Sequence, residues 1–136
     1  MPTPIQIASI VEVCFNRRDA ERLLTLWTDD FRFAGPNVGF VGKQQMLAQE
    51  QNLWTAFPDI RCEVANFLVS TDRAALLTRM VGTHEGPLRL GAKTIEPTHR
   101  RVDFTLSVHM TFRGGQIATE QLFYDTAGFM RQLGLL

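Results

Sequence analysis

The sequence predicts an α+β fold with helices first and antiparallel strands after them. Before Phe57 the apolar residues recur at helical spacing. From Ile60 onward the pattern changes to strand-like alternation. Turn-forming residues separate those later runs, with Ser70-Thr71-Asp72 and Gly114-Gly115 the clearest. Runs of helices followed by runs of strands pack as an α+β unit rather than as alternating βαβ.

Each element has its own warrant. Thr3-Pro4 starts the first helix, with Thr as N-cap and Pro in the first helical turn. Ile7, Ala8, Val11, Cys14 and Phe15 make its apolar stripe. Asp19 caps a short second helix whose buried side is Leu23, Leu24 and Trp27. Asp29-Asp30 leads into a strand around 31–34, stopped by Gly35-Pro36. A third helix follows Gly42, with Met46, Leu47, Glu50, Trp54 and Phe57 on or near one face, and Pro58-Asp59 ends it. Strands are expected over 60–69 and 73–83, then a loop containing Gly86-Pro87, Gly91 and Pro97. Further strands lie near 101–113 and 116–124, and Asp125 caps a last helix ending at Gly134.

The 136 residues suffice for one domain, 1–136, with its own core. Fourteen basic and fourteen acidic residues cancel, so no field recruits nucleic acid or an anionic membrane. The apolar runs are too short to span a bilayer and the start M-P-T-P-I-Q lacks a basic, cleavable leader. A cytoplasmic protein is the expectation. Cys14 and Cys62 match no metal or redox spacing and read as reduced, buried, small hydrophobes. The spacings of His84, His99 and His109 match no common metal motif either, so no metal site is expected.

The motifs G-T-H-E-G-P-L (82–88), P-T-H-R-R-V-D-F (97–104), F-R-G-G-Q-I (112–117) and Y-D-T-A-G-F-M-R-Q-L-G (124–134) carry a resemblance. Together they are similar to the SnoaL-like proteins, a family that includes small polyketide cyclases. The resemblance implies a strongly curved antiparallel sheet wrapped around the N-terminal helices into a cone-shaped barrel, a ligand in the cone's mouth, no cofactor, and a homodimer joined through the sheet's outer surface. Ile117 and Phe123, apolar residues on an otherwise polar face, lend that dimer some support from the sequence itself.

The resemblance also exposes a departure. The family cyclases close a ring by aldol condensation with an Asp on the last strand as acid/base. A His, a Gln and an Asn bind their substrate. The corresponding positions here are Leu122, Val108, Leu106 and Phe33. Related enzymes of this cone fold place an Asp before a Pro at the end of the first strand, where this chain has Gly35 before Pro36. Hydrocarbon cannot take a proton from carbon.

The last hairpin decides what remains. A two-residue turn at Gly114-Gly115 pairs Arg113 with Gln116 and brings His109 opposite Glu120, a candidate dyad. A three-residue loop pairs Arg113 with Ile117, and so Met110 with Glu120 and Val108 with Leu122. Binary patterning selects the three-residue loop, because only it separates an apolar face from a polar one. His109 then points outward and Glu120 enters the cone, with Tyr124 four residues on facing the same way.

Glu120 and Tyr124 are therefore the candidate catalytic pair. A carboxyl among Met110, Leu122 and Val108 is harder to ionise and suited to acid/base work, and Tyr124 can donate to a developing oxyanion. The competing reading pairs Glu120 with an arginine such as Arg79 in a structural ion pair. Phe33, Trp54, Leu106, Val108, Met110 and Leu122 are the expected cavity wall, with His84 at the rim or bonded to its Gly/Pro loop. Three functions stay open: a cofactor-free cyclase or isomerase-type enzyme acting on an apolar ring-containing metabolite, a non-catalytic binder of such a molecule, and an assembly role.

Overall fold

The computed structural model describes residues 1–136. Helix α1 (Pro4–Asn16) starts in a full capping box: the Gln6 amide N–H donates to the Thr3 hydroxyl, and the Gln6 side chain accepts from the Thr3 N–H. Helix α2 (Ala20–Leu26) is capped by Asp19, which accepts from the Arg22 N–H at 3.2 Å. Strand β1 (Trp27–Gly35) follows without a break, pairs with the short β2 (Val38–Val41), and leads to α3 (Lys43–Ala56). Next come β3 (Arg61–Val69), β4 (Arg73–Thr83), the small hairpin β5 (Leu88–Leu90) and β6 (Lys93–Ile95), β7 (Arg101–Arg113) and β8 (Gln116–Phe123). Helix α4 (Thr126–Gln132) closes the chain, capped by Asp125 through the Gly128 N–H at 2.9 Å.

The main sheet has six strands in the order β2-β1-β8-β7-β4-β3. Its pairings are antiparallel except one: β1 lies parallel to β8, with Phe33 beside Glu120. The sheet is thus mixed at that seam, because β1 comes from the helical half and reaches β8 from across the fold. Inward residues of β4 (Ala74, Leu76, Thr78, Met80) face α1 and α3 together with Val102, Leu106, Val108 and Met110 of β7. One buried cluster joins these strands to Ile7, Cys14 and Phe15 of α1 and to Met46 and Leu47 of α3. Strand β2 and the β5–β6 hairpin, absent from the expected elements, occupy stretches that their glycines and prolines mark as loop.

The last hairpin corrects the sequence reading and also explains why its consequence survives. Gly114 and Gly115 have φ of +60° and +79°, the pair of positive values a two-residue primed turn demands. Arg113 accordingly sits opposite Gln116, and the three-residue loop is not formed. A bulge then shifts the register by one before Thr119, so Met110 faces Glu120 and Val108 faces Leu122 as expected. The bulge lets Ile117 and Ala118 both be buried, at 0% and 9% exposure. Ile117 therefore contributes nothing to the outer surface, whereas Phe123 is 55% exposed there.

The loop after β4 docks on the end of α3. The Glu85 and Gly86 N–H groups both donate to the Ala56 carbonyl, at 3.0 and 3.1 Å. A Cβ on Gly86 would stand 2.1 Å from the Thr55 carbonyl oxygen. Gly86→Ala is expected to lower stability by about 1–3 kcal/mol, since backbone must move to relieve such overpacking. The denaturant midpoint measures it; an unchanged midpoint contradicts this docking.

Candidate functional site

Glu120 lies on the concave side of β8 between Phe33 of β1 and Met110 of β7. It is 5% exposed. Its strand neighbour on the same face is Leu122, opposite Val108. Leu106, Val108, Met110 and Phe33 are all buried in the same wall. Of the wall residues chosen from the sequence, Phe33 and Met110 flank this carboxyl directly, and Leu106, Val108 and Leu122 lie further along the same face.

No cation reaches it. Arg79, the expected structural partner, points to the outer face and forms a two-point ion pair with Asp103, at 2.9 and 2.6 Å. Burial alone pushes the Glu120 carboxyl up to about 7. Tyr124 is half-buried in an aromatic group, its ring 5.6 Å from Phe104 and 6.0 Å from Phe129. Burial raises the Tyr124 phenol as well, which keeps it a neutral donor.

The sequence reading set Glu50 on or near the apolar face of the third helix but gave it no role. Glu50 on α3 is pushed up to about 8, first by burial and then by the charge of Glu120. Neither glutamate has a hydrogen bond or ion pair in the protein. Neither is sealed, however: the fully enclosed unpaired atoms are Trp27 Nε1, Thr28 Oγ1, Trp54 Nε1 and His84 Nε2. The carboxylate oxygens therefore keep a little accessible surface of their own. The signal was in the spacing, because Glu50 interrupts the stripe of Met46 and Trp54 at four-residue intervals.

Two predicted wall residues sit elsewhere. Trp54, one turn beyond Glu50, packs on Phe15 at 5.7 Å and under the Arg18 guanidinium at 5.9 Å. His84 is completely buried at the end of β4, outside the wall. Its Nδ1 accepts from the Thr98 N–H at 3.1 Å, its ring lies 5.3 Å from Phe57, and its backbone bonds Arg100 and His99. Burial lowers its pKa. His84 staples the 98–100 loop to the sheet. His109 is exposed on the outer face, 3.0 Å from the Ser107 hydroxyl and opposite Gln121.

A cleft of about 120 Å³ opens between α1 and the β3–β4 pair, lined by Ala8, Glu12, Val64, Phe67 and Leu76 among others. A shallow groove of about 440 Å³ crosses the outer face past His109 and Gln121. Glu120 and Tyr124 line neither. No group of three or more His, Cys, Asp or Glu side chains is arranged to hold a metal ion, and no helix is long and apolar enough to cross a membrane.

This architecture is shared. IdmH from Streptomyces antibioticus superimposes with a TM-score of 0.84 at 22% identity, over 98% of this chain and 99% of that one. A SnoaL-like polyketide cyclase from Agrobacterium tumefaciens gives 0.79 at 21% identity, over 98% and 100%. A Catenulispora acidiphila protein described as having a ketosteroid isomerase-like fold gives 0.77 at 13% identity, over 99% and 96%. At these identities the likeness shows the fold alone. No curated protein sequence matches the chain. The family model for SnoaL-like polyketide cyclases, however, matches residues 5–133, nearly the whole length. The chain belongs to the SnoaL-like polyketide cyclase family.

Proposed function

We propose that this protein is a cofactor-free acid/base catalyst acting on an apolar, ring-containing, polyketide-like metabolite, with residues 1–136 working as one domain. The observation that carries the reading is Glu120 itself: a carboxyl among Phe33, Met110 and Leu122 with no cation and no hydrogen-bond donor. A base held near neutrality can both accept and return a proton at working pH. Glu120 takes the proton, Glu50 is the second carboxyl that stays protonated at neutral pH, and Tyr124 donates to the oxygen on which charge develops. Phe33, Leu106, Val108, Met110 and Leu122 supply the apolar wall.

A second reading, a non-catalytic binder, is favoured by one specific fact. The family's Asp, His, Gln and Asn positions hold Leu122, Val108, Leu106 and Phe33. Nitrobenzisoxazole separates the two. It is a neutral planar ring from which removal of one proton opens the N–O bond and releases a coloured phenolate. Glu120→Gln is expected to slow that reaction by ~100-fold or more relative to the parent protein. Equal rates would leave the binder as the better account.

The same reading includes a cytoplasmic homodimer meeting through the outer face of the sheet. Phe123 and Leu77, 55% and 45% exposed, supply apolar area there. Light scattering that gives a monomer at micromolar concentration removes this claim.

A further inference from the structure

Basic side chains avoid the interior of the cone. Of the fourteen, all but Arg18 and Lys43 are solvent-exposed. Lys43 is held by Asp29 at 3.2 Å. Arg18 is spent on backbone, donating to the Pro58 carbonyl at 2.7 Å and the Ile60 carbonyl at 3.0 Å.

Acidic groups converge there instead. Glu12 of α1, Glu50 of α3 and Glu120 of β8 all bear on Cys62, on the inner side of β3. Only Glu12 has a donor, the Val64 N–H at 3.4 Å. Glu12 also lines the cleft between α1 and the β3–β4 pair. Independently, Thr78 on the concave face of β4 is 4% exposed, and its hydroxyl has no partner in the protein yet is not sealed. The remaining titratable groups facing this space, Cys62 and Tyr124, are both pushed up by burial and stay neutral. Nothing the protein supplies to this interior is positive.

That asymmetry selects a ligand. An anionic molecule meets carboxyls with no cation beside them and is repelled wherever they ionise. A neutral one leaves two carboxyls desolvated and unpaired. A ligand with a protonated nitrogen brings the missing countercharge and several N–H donors. Resting on the reading that Glu120 faces the ligand, we propose that the cone binds a molecule carrying a protonated amine on an otherwise apolar ring skeleton. Glu50 and Glu120 are its countercharge, and the Thr78 hydroxyl is a further acceptor. Because the carboxyl pair holds a proton at neutral pH, amine binding releases it and tightens as pH rises.

The test uses three probes of one shape: cyclohexylmethylamine, cyclohexanemethanol and cyclohexanecarboxylate. Each is titrated into the intact protein while the methyl resonances of Val108, Met110 and Leu122 are followed. At about pH 8 the amine is expected to bind at least ~10-fold more tightly than the alcohol, with no saturable shift from the carboxylate. At about pH 5, where both glutamates are protonated, the amine and alcohol should converge to within ~3-fold. Glu120→Gln and Glu50→Gln should each erode the preference at the higher pH. Alcohol binding equal to the amine, but still dependent on Glu120, overturns the charge selection and leaves the acid/base proposal standing. A preference for amine that neither variant changes overturns the assignment of the countercharge. If no probe shifts the wall methyls, the inference and the proposed function fall together.

Discussion

Replacing Glu50 and Glu120 together by glutamine is expected to raise the melting temperature by ~10 °C or more at about pH 8.5, and to change it little at about pH 5. Folding takes both carboxyls out of water without giving either a partner, so it favours their protonated forms. Their folded values, about 8 for Glu50 and about 7 for Glu120, lie above the ordinary 4.5. A group raised in the folded state contributes stability that is complete below its unfolded value and is lost as pH rises through the folded one. The protein should therefore weaken between about pH 4.5 and 8, each glutamate accounting for a few kcal/mol. Glutamine keeps the shape and cannot ionise, so the double variant should lose this alkaline decline. Melts across that pH range measure it, and parallel curves for parent and variant would mean that both carboxyls find compensation.

That penalty is also why the site was only half legible beforehand. Glu120 stood out because it interrupts a run of inward positions, Ala118, Leu122 and Tyr124, on a strand where the period of two leaves no doubt about facing. Glu50 did not stand out. A glutamate on a helix ordinarily reaches water, so sharing the face of Met46 and Trp54 did not by itself show that its carboxyl stays inside. Caps were readable because they are local: Thr3, Asp19 and Asp125 each bond an N–H three residues away. The parallel seam between β1 and β8 is not local, since it joins Phe33 to Glu120 across most of the chain. The bulge at Ile117–Ala118 combines both kinds of information. Two glycines ask for a two-residue turn, the apolar face asks for a shift of one, and the structure satisfies both by spending the extra residue inside the strand.

Met110 faces Glu120 directly across the β7–β8 ladder, which gives the strongest way to switch the site off without touching the glutamate. In Met110→Lys the ammonium starts from a Cβ about 5 Å from that of Glu120, close enough for its stem to reach the carboxylate. An opposite charge at that range favours ionisation, and the titration of Glu120 is expected to fall by ~2 units or more, from about 7 to near or below 4.5. Two effects should follow together. The carboxylate, though now ionised at every working pH, becomes a weaker base, so proton removal from nitrobenzisoxazole slows instead of rising with the ionised fraction. The cone also acquires its own countercharge, and cyclohexylmethylamine should lose its advantage over the alcohol. Overall stability at neutral pH need not fall, because a paired buried carboxylate replaces an unpaired one and roughly breaks even with the hydrocarbon it displaces. Met110→Leu is the control for shape and should leave the titration near 7. Carbon-detected NMR of the Glu120 carboxyl reads the midpoint in each protein. If it stays near 7 in Met110→Lys while the protein remains folded, then Glu120 does not face residue 110 inside the cone, and the acid/base proposal loses the geometry on which it stands.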